Sequence, residues 1–239
     1  MNYICDPSNE SLVGLSVSGV ISAISDAWVD TKTAHIVITG GRTGLALVKA
    51  LDQALFRLVR ENASFEGSML HIWFSDERFV EYGDGDRNDS ALIEGFAMCK
   101  SHLVFHRADQ PSDVGSDVEV AANNYAKELS LEIGERPFDA VVLSMGEDGH
   151  IASLFPGQID PELATGAVAV HNSPKAPPTR VSISLKRLAN SKRIFVFALG
   201  EGKAAALQSV AHGPVGLLDK SSPNGQLQIL TDLSAPDAL

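Results

Sequence analysis

The residues best suited to chemistry lie in Ser144-Met-Gly-Glu-Asp-Gly-His-Ile-Ala-Ser-Leu-Phe-Pro-Gly157, where one glycine separates Asp148 from His150. A carboxylate and an imidazole this close suit acid/base work, because histidine alone titrates unperturbed near neutral pH. Gly146 and Gly149 bracket Glu147 and Asp148 and allow turns that a side chain would block. The preceding apolar run, Phe138 to Leu143, reads as a buried strand bounded by Pro137 and Gly146. His150 then falls just past a strand's C-terminal end, where open α/β sheets collect ligands. The alternative is structural: Asp148 caps a helix starting near His150, and the imidazole is a hydrogen-bonded scaffold residue.

A second constellation is suited to anions. Ala34 to Thr39 reads as a short β-branched strand running into Gly40-Gly-Arg-Thr-Gly44 and a helix from Leu45 to Arg60. Strand, glycine turn and helix bring bare backbone N–H groups to a positive helix end, a setting for phosphate. The turn matches neither the P-loop nor the dinucleotide fingerprint, so a plain tight turn explains this segment equally well. Lys203 falls in the first turn of a helix opened by Gly200, an unfavourable place for a cation unless an anion is near. Pro174, Pro177 and Pro178 stiffen a loop that holds Lys175 and Arg180 near its ends. Taken singly, Arg78 reads as an ion-pair partner of Asp76, and Arg87 and Lys175 as solvated loop charges.

The elements that must position these residues alternate along the chain. Helices are expected over residues 8–29, 45–60, 89–100, 117–133 and from Gly200 to about Val210. Gly14 and Gly19 weaken the first of them. Strands are expected over 34–39, 69–74, 138–143, 166–171, 180–184, 192–199 and 226–230, with Asp232–Leu239 a frayed tail. This alternation predicts one α/β domain over residues 1–239, with a mostly parallel central sheet and helices on both faces. His102 and His106 are four apart, but the apolar interval between them reads as a strand, so they are taken as non-ligands.

The net charge of −11 over 239 residues argues against nucleic acid as a partner, so an anionic ligand must meet a local basic cluster. Cys5 and Cys99, with no Cys-x-x-Cys pair, read as free thiols of a reducing compartment. The N-terminus lacks a signal-peptide pattern, and no uncharged apolar run approaches the ~18 residues of a membrane span. A cytoplasmic protein without a membrane partner is the expectation.

Several segments, in this order, resemble the 6-phosphogluconolactonase family of the sugar-phosphate isomerase/deaminase-like fold group. They are Thr39-Gly-Gly-Arg-Thr-Gly44, Trp73-Phe-Ser-Asp-Glu-Arg78, Asp86-Arg-Asn88 and Gly146-Glu-Asp-Gly-His-Ile-Ala-Ser-Leu-Phe-Pro156. Pro174-Lys-Ala-Pro-Pro-Thr-Arg180 and Gly202-Lys-Ala204 complete the set. The first loop departs from the family pattern, with Arg42 and Gly44 standing where Ser and Pro are common. The resemblance implies hydrolysis of 6-phospho-D-glucono-1,5-lactone to 6-phosphogluconate in the pentose phosphate pathway, with no cofactor. It implies His150 as general base and Asp148 as its orienting partner or a pocket residue. It further implies substrate contacts from Gly40, Gly41, Arg42, Thr43, Asp76, Arg78, Arg87, Gly149, Lys175, Arg180 and Lys203. Among these, Arg78, Arg180 and Lys203 are the first candidates for the phosphate, and Lys175 for the sugar or its carbonyl.

Three rival readings differ in what they require. An amino-sugar-phosphate isomerase/deaminase shares the Asp-Gly-His stretch, but there a Glu follows and partners the histidine. Phe155 occupies that place here, and a phenyl ring accepts no proton. A non-catalytic sugar-phosphate sensor would bind the ligand without turnover. A metallohydrolase lacks support, there being no His-Glu-x-x-His and no compact ligand triad.

Overall fold

The computed structural model describes residues 1–160, 166–223 and 226–236. The chain opens with strand β1 (Asn2–Cys5), helix α1 (Asn9–Thr31), β2 (Thr33–Ile38), α2 (Gly41–Glu61), β3 (Met69–Phe74) and β4 (Asp76–Arg78). It continues through α3 (Asp89–Gly95), β5 (Leu103–His106), α4 (Val118–Glu132), β6 (Ala140–Ser144), β7 (Ala167–Val170) and β8 (Arg180–Ile183). It closes with α5 (Leu185–Ala189), β9 (Ile194–Ala198), α6 (Ala204–Gln208), α7 (Pro214–Ser221) and β10 (Leu227–Thr231).

Seven strands form a parallel sheet in the order β1-β10-β9-β6-β2-β3-β5. The strands are apolar on both faces because both are covered. Ile36, Ile38, Val142, Phe195 and Phe197 point into one core with α1 and α2. Val37, Val141, Leu143, Val196 and Ile229 alternate to the other side and pack with α4 and α7. Helix α1 runs unbroken through Gly14 and Gly19, and Gly19 has a use. A Cβ there would run into the Phe195 ring, so the missing side chain lets helix and sheet approach closely. By length and mean hydropathy (1.6) α1 is apolar enough to cross a membrane, but Leu12, Val20, Ile24 and Trp28 are fully buried against the sheet.

Three expectations need correcting. Residues 167–170 and 180–183 do not join the main sheet; with β4 they make a separate antiparallel sheet ordered β4-β8-β7. No strand was expected at the N-terminus, yet β1 pairs with β10 at the sheet edge. The helix expected over 89–100 ends at Gly95, where a Cβ would meet the Val48 side chain and where Asp52 takes the next N–H groups, those of Ala97, Met98 and Cys99. The supposed tail is also pinned at its start, since both Asp232 carboxylate oxygens accept the Gly200 N–H; residues 237–239 lie outside the described set.

The chain order reverses direction between β2 and β6: β2, β3 and β5 run outward to one edge, and β6, β9, β10 to the other. At such a switch point the loops after neighbouring strands diverge and leave a crevice. The segments that follow β2 and β6 are residues 39–43, which run into the first turn of α2, and the turn over residues 145–150.

Candidate active site

The crevice consists of two adjoining cavities with Gly40, Gly41, Ser144 and Lys203 as shared walls. One, about 190 Å³, is lined by His150, Lys175, Arg78, Arg180, Asp76 and Asn88, among others. The other, about 470 Å³, adds Arg42, Thr43, Gly200 and Asp232.

His150 is carried by a tight local turn rather than by a helix start. The Gly146 N–H donates to the His150 carbonyl (2.7 Å) and the Gly149 N–H to the Gly146 carbonyl (3.0 Å), with Gly149 at φ 84°. This fold-back aims the imidazole into the cleft and sets its Nδ1 against an Asp148 oxygen in a short hydrogen bond. Gly146 is indispensable to the pairing, because a Cβ there would overlap His150 Nδ1 and stand 2.5 Å from Asp148 Oδ1. The Phe155 ring packs on the imidazole at 4.7 Å between centroids. Burial lowers the His150 pKa below its ordinary 6.5; Asp148 pulls it up and Lys175 down again. The imidazole is therefore neutral at physiological pH. Burial would raise the Asp148 carboxyl, but the bond to His150 outweighs it and holds the group ionised, below 3.8.

The cations converge from separate segments of the chain. Arg78 leaves the end of β4, gives Nη1 to the Asp86 carbonyl, and keeps a buried Nε with no partner among the described residues. An unmet buried guanidinium N–H in a polar cleft is a donor waiting for an acceptor. Burial lowers the Lys203 pKa, Glu147 opposes that, and Lys175 and Arg42 press it further down. Three like charges held together in an acidic chain favour an anion between them. The first turn of α2 faces the same space: Gly40 at its N-cap gives no side-chain cap, leaving backbone N–H groups to a ligand. Gly44 is tied to this turn, since a Cβ on it would overlap the Thr39 carbonyl.

Two residues expected at the substrate do other work. Arg87 does not line the cleft. Its side chain is fully buried, with Nε 2.8 Å from Asp89 Oδ2 and its η nitrogens donating to the Val80 and Ala108 carbonyls. Arg107 bonds the same Asp89 oxygen at 2.8 Å, and both guanidinium groups lie over the Tyr82 ring. This is a strut between the 80–89 loop and the 107–108 segment. Arg87→Met should cost about 3 kcal/mol, because Asp89 stays buried with one partner fewer. Chemical denaturation would measure that loss, and KM of the folded enzyme should barely move. Gly149, for its part, walls a neighbouring cavity with Met145 and Val210, and its contribution here is the turn.

Arg180 does line the cleft, but its donors are largely taken. Nε donates to the Pro177 carbonyl (3.1 Å) and Nη2 to that of Lys175 (2.9 Å), while Nη1 stands 3.9 Å from Asp76. It holds the loop that presents Lys175, which includes a cis Ala176–Pro177 peptide. Asp76 is likewise occupied, accepting from Ser75 Oγ (3.0 Å) and Ser153 Oγ (2.6 Å).

Sequence reasoning passed over Asn88 and Ser144, both of which face the cleft. Asn88 sits at the N-cap of α3 without making a side-chain cap; its amide lies against Gly40, where a Cβ would overlap it. The buried Glu77 arranges this, accepting the N–H groups of Arg78, Asn88 and Asp89. Burial, with the neighbouring Asp89 charge adding to it, pushes its carboxyl up to about 7 against the Asn88 and Arg78 N–H donors. The available signal was the Arg-Asn pair itself, in which only one of two adjacent side chains can face the ligand.

A family model described as glucosamine-6-phosphate isomerases/6-phosphogluconolactonase matches residues 7–225. A 6-phosphogluconolactonase of Streptomyces coelicolor is 34% identical, over 85% of this chain and 80% of that protein. One from Mycobacterium tuberculosis is 32% identical, over 87% and 84%. Among solved structures, a Trypanosoma cruzi 6-phosphogluconolactonase superposes with a TM-score of 0.80 at 21% identity, covering 96% of this chain and 94% of the other. A monomeric glucosamine-6-phosphate deaminase reaches 0.70 at 18% identity, covering 97% of each chain, a likeness of fold alone.

Proposed function

The chain belongs to the glucosamine-6-phosphate isomerase/6-phosphogluconolactonase family, and from that premise we propose that it hydrolyses 6-phospho-D-glucono-1,5-lactone to 6-phosphogluconate, a step of the pentose phosphate pathway. The observation that carries the reading is one cavity lined by a neutral His150, backed by the ionised Asp148, together with Arg78, Lys175 and Lys203. That grouping supports a general base for the lactone carbon and an anion clamp for the phosphate of the same sugar.

In this mechanism the Asp148 carboxylate accepts a hydrogen bond from Nδ1–H and fixes the tautomer, leaving the Nε2 lone pair for water. Nε2 takes a proton as the water oxygen bonds to the lactone carbonyl carbon, and negative charge moves to the carbonyl oxygen. Lys175, whose charge already acts on both His150 and Asp148, offsets that charge. When the tetrahedral intermediate collapses, the ring C–O bond breaks and the ring oxygen takes the proton back from Nε2. No cofactor is required by these steps. Phe155 against the imidazole supports hydrolysis over deamination, because the carboxylate that would partner a ring-opening histidine is replaced by a hydrocarbon.

Arg78, Lys203, Arg42 and the α2 N-terminus hold the phosphate in this reading, with Asn88 beside them. The 1–239 chain acts as one cytoplasmic domain, a reading supported by the two cores that share one sheet and by the free Cys5 and Cys99. Acid release from freshly made lactone, measured against its spontaneous hydrolysis, tests the activity; a rate no faster than the blank defeats it. Arg78→Leu should raise KM for the phosphorylated lactone about 10–100-fold, the worth of a hydrogen bond between charged groups. An unphosphorylated analogue should be affected little, and an equal loss on both substrates would remove Arg78 from the phosphate site.

A further inference from the structure

A second group of coordinating side chains lies under α4, and none of its members lines the catalytic cleft. His71 on β3 and His106 on β5 bring Nδ1 and Nε2 to 2.9 Å of each other. Glu132, the last residue of α4, sets Oε2 3.7 Å from His71 Nδ1. The three donor atoms all lie within 4.8 Å of one another. We infer that His71, His106 and Glu132 form a binding site for a divalent transition metal of the zinc class, separate from the catalytic centre.

Two imidazole nitrogens and one carboxylate oxygen suit zinc, with a water completing the tetrahedron. The buried ligand is already oriented. His106 stacks on Trp73 at 3.7 Å with 5° between planes, which fixes its ring. Its Nδ1 is 2.7 Å from Glu128 Oε1, so Nδ1–H donates to the carboxylate and the Nε2 lone pair is turned toward His71. A carboxylate behind a ligating histidine is the usual outer support of zinc sites, where it fixes tautomer and raises basicity.

In the metal-free protein the two rings share one proton between Nδ1 and Nε2. Metal entry replaces that proton and spreads the nitrogens to roughly 3.3 Å, the separation implied by tetrahedral bonds of 2.0–2.1 Å. Glu132, with 43% of its side chain exposed, provides both the third ligand and the way in. Glu128 and Glu132 face the site with negative charge, against one guanidinium, Arg136, whose donors are turned to the Ile133 and Glu132 carbonyls. His35 lies alongside, its ring 4.5 Å from that of His71, with Nε2 buried and unpartnered among the described residues. The metal would tie β3 and the edge strand β5 to α4. His102, the other half of the pair weighed in the sequence, bonds the Ser68 carbonyl instead.

The test uses chelator-stripped full-length protein titrated with zinc by calorimetry, and with cobalt for the absorption of tetrahedral coordination. His150→Ala serves as background, to remove binding in the catalytic cleft. We expect one metal per chain in the wild type and in His150→Ala, and affinity about tenfold or more weaker in His71→Ala and in the exposed Glu132→Gln. Glu132→Gln keeps the test valid should His71→Ala fold poorly. Unchanged binding in both variants, binding lost only with His150→Ala, or no saturable binding would overturn the assignment.

Discussion

His150→Ala should lower kcat by about 10²–10⁴-fold, the ordinary worth of a positioned general base, while KM shifts little. The split follows from the geometry. The imidazole is held by Asp148 within its own turn, whereas the cations proposed to hold the phosphate come from other segments of the chain. The pH profile provides a second readout with a definite sign. Burial depresses the His150 pKa, so the base form is present above the ordinary 6.5 and persists somewhat below it. Turnover should therefore hold at neutral pH and fall as pH drops through the lowered value, with a slope of one proton. Asp148→Asn removes the charge that pulls this pKa up, so its limb should move to still lower pH while the plateau falls. Stopped-flow or pH-stat rates corrected for spontaneous hydrolysis would give both. A His150→Ala enzyme with near-native kcat would end the assignment of the base.

Gly146→Ala should cost about 10²-fold in kcat with the phosphate clamp intact, the penalty expected when a reacting group is displaced by around 1 Å. The added methyl would overlap His150 Nδ1 and crowd Asp148 Oδ1, and neither atom can yield without breaking their mutual hydrogen bond. Glycine is needed here for space rather than for backbone freedom, since Gly146 is not among the positive-φ glycines. Gly14→Ala is the control, in the middle of α1 with nothing within 4 Å of the new carbon. It should leave kcat unchanged and add about 0.5–1 kcal/mol of stability. If Gly146→Ala retained native kcat, the local pairing of Asp148 with His150 would not matter to turnover.

The His71–His106–Glu132 cluster and the Asp148–His150 pair lie at opposite ends of legibility. Asp148 and His150 are two residues apart, joined by a glycine, so their pairing is a property of one turn. A reader of the sequence can see it because short-range geometry is set by backbone dihedrals that neighbouring residues control. His71, His106 and Glu132 come from two strands and a helix end, and only strand register and helix docking bring them together. Nothing in the spacing of His102 and His106 pointed there.

The sequence by itself determined the alternating α/β order, the parallel sheet with both faces covered, the glycine turn before α2, and the acid/base pair past β6. Those follow from hydrophobic periodicity and local turn chemistry. Tertiary structure alone decided which cations are free to meet a ligand. Arg87 and Asn88 are adjacent, yet one is consumed by Asp89 and backbone carbonyls and the other faces the cleft. Arg180 reaches the cleft with most of its donors already taken by the Lys175 loop, while Arg78 arrives with an unmet Nε. The physical reason is that a side chain's charge is written in its type, but its availability depends on the partners that distant segments bring to it.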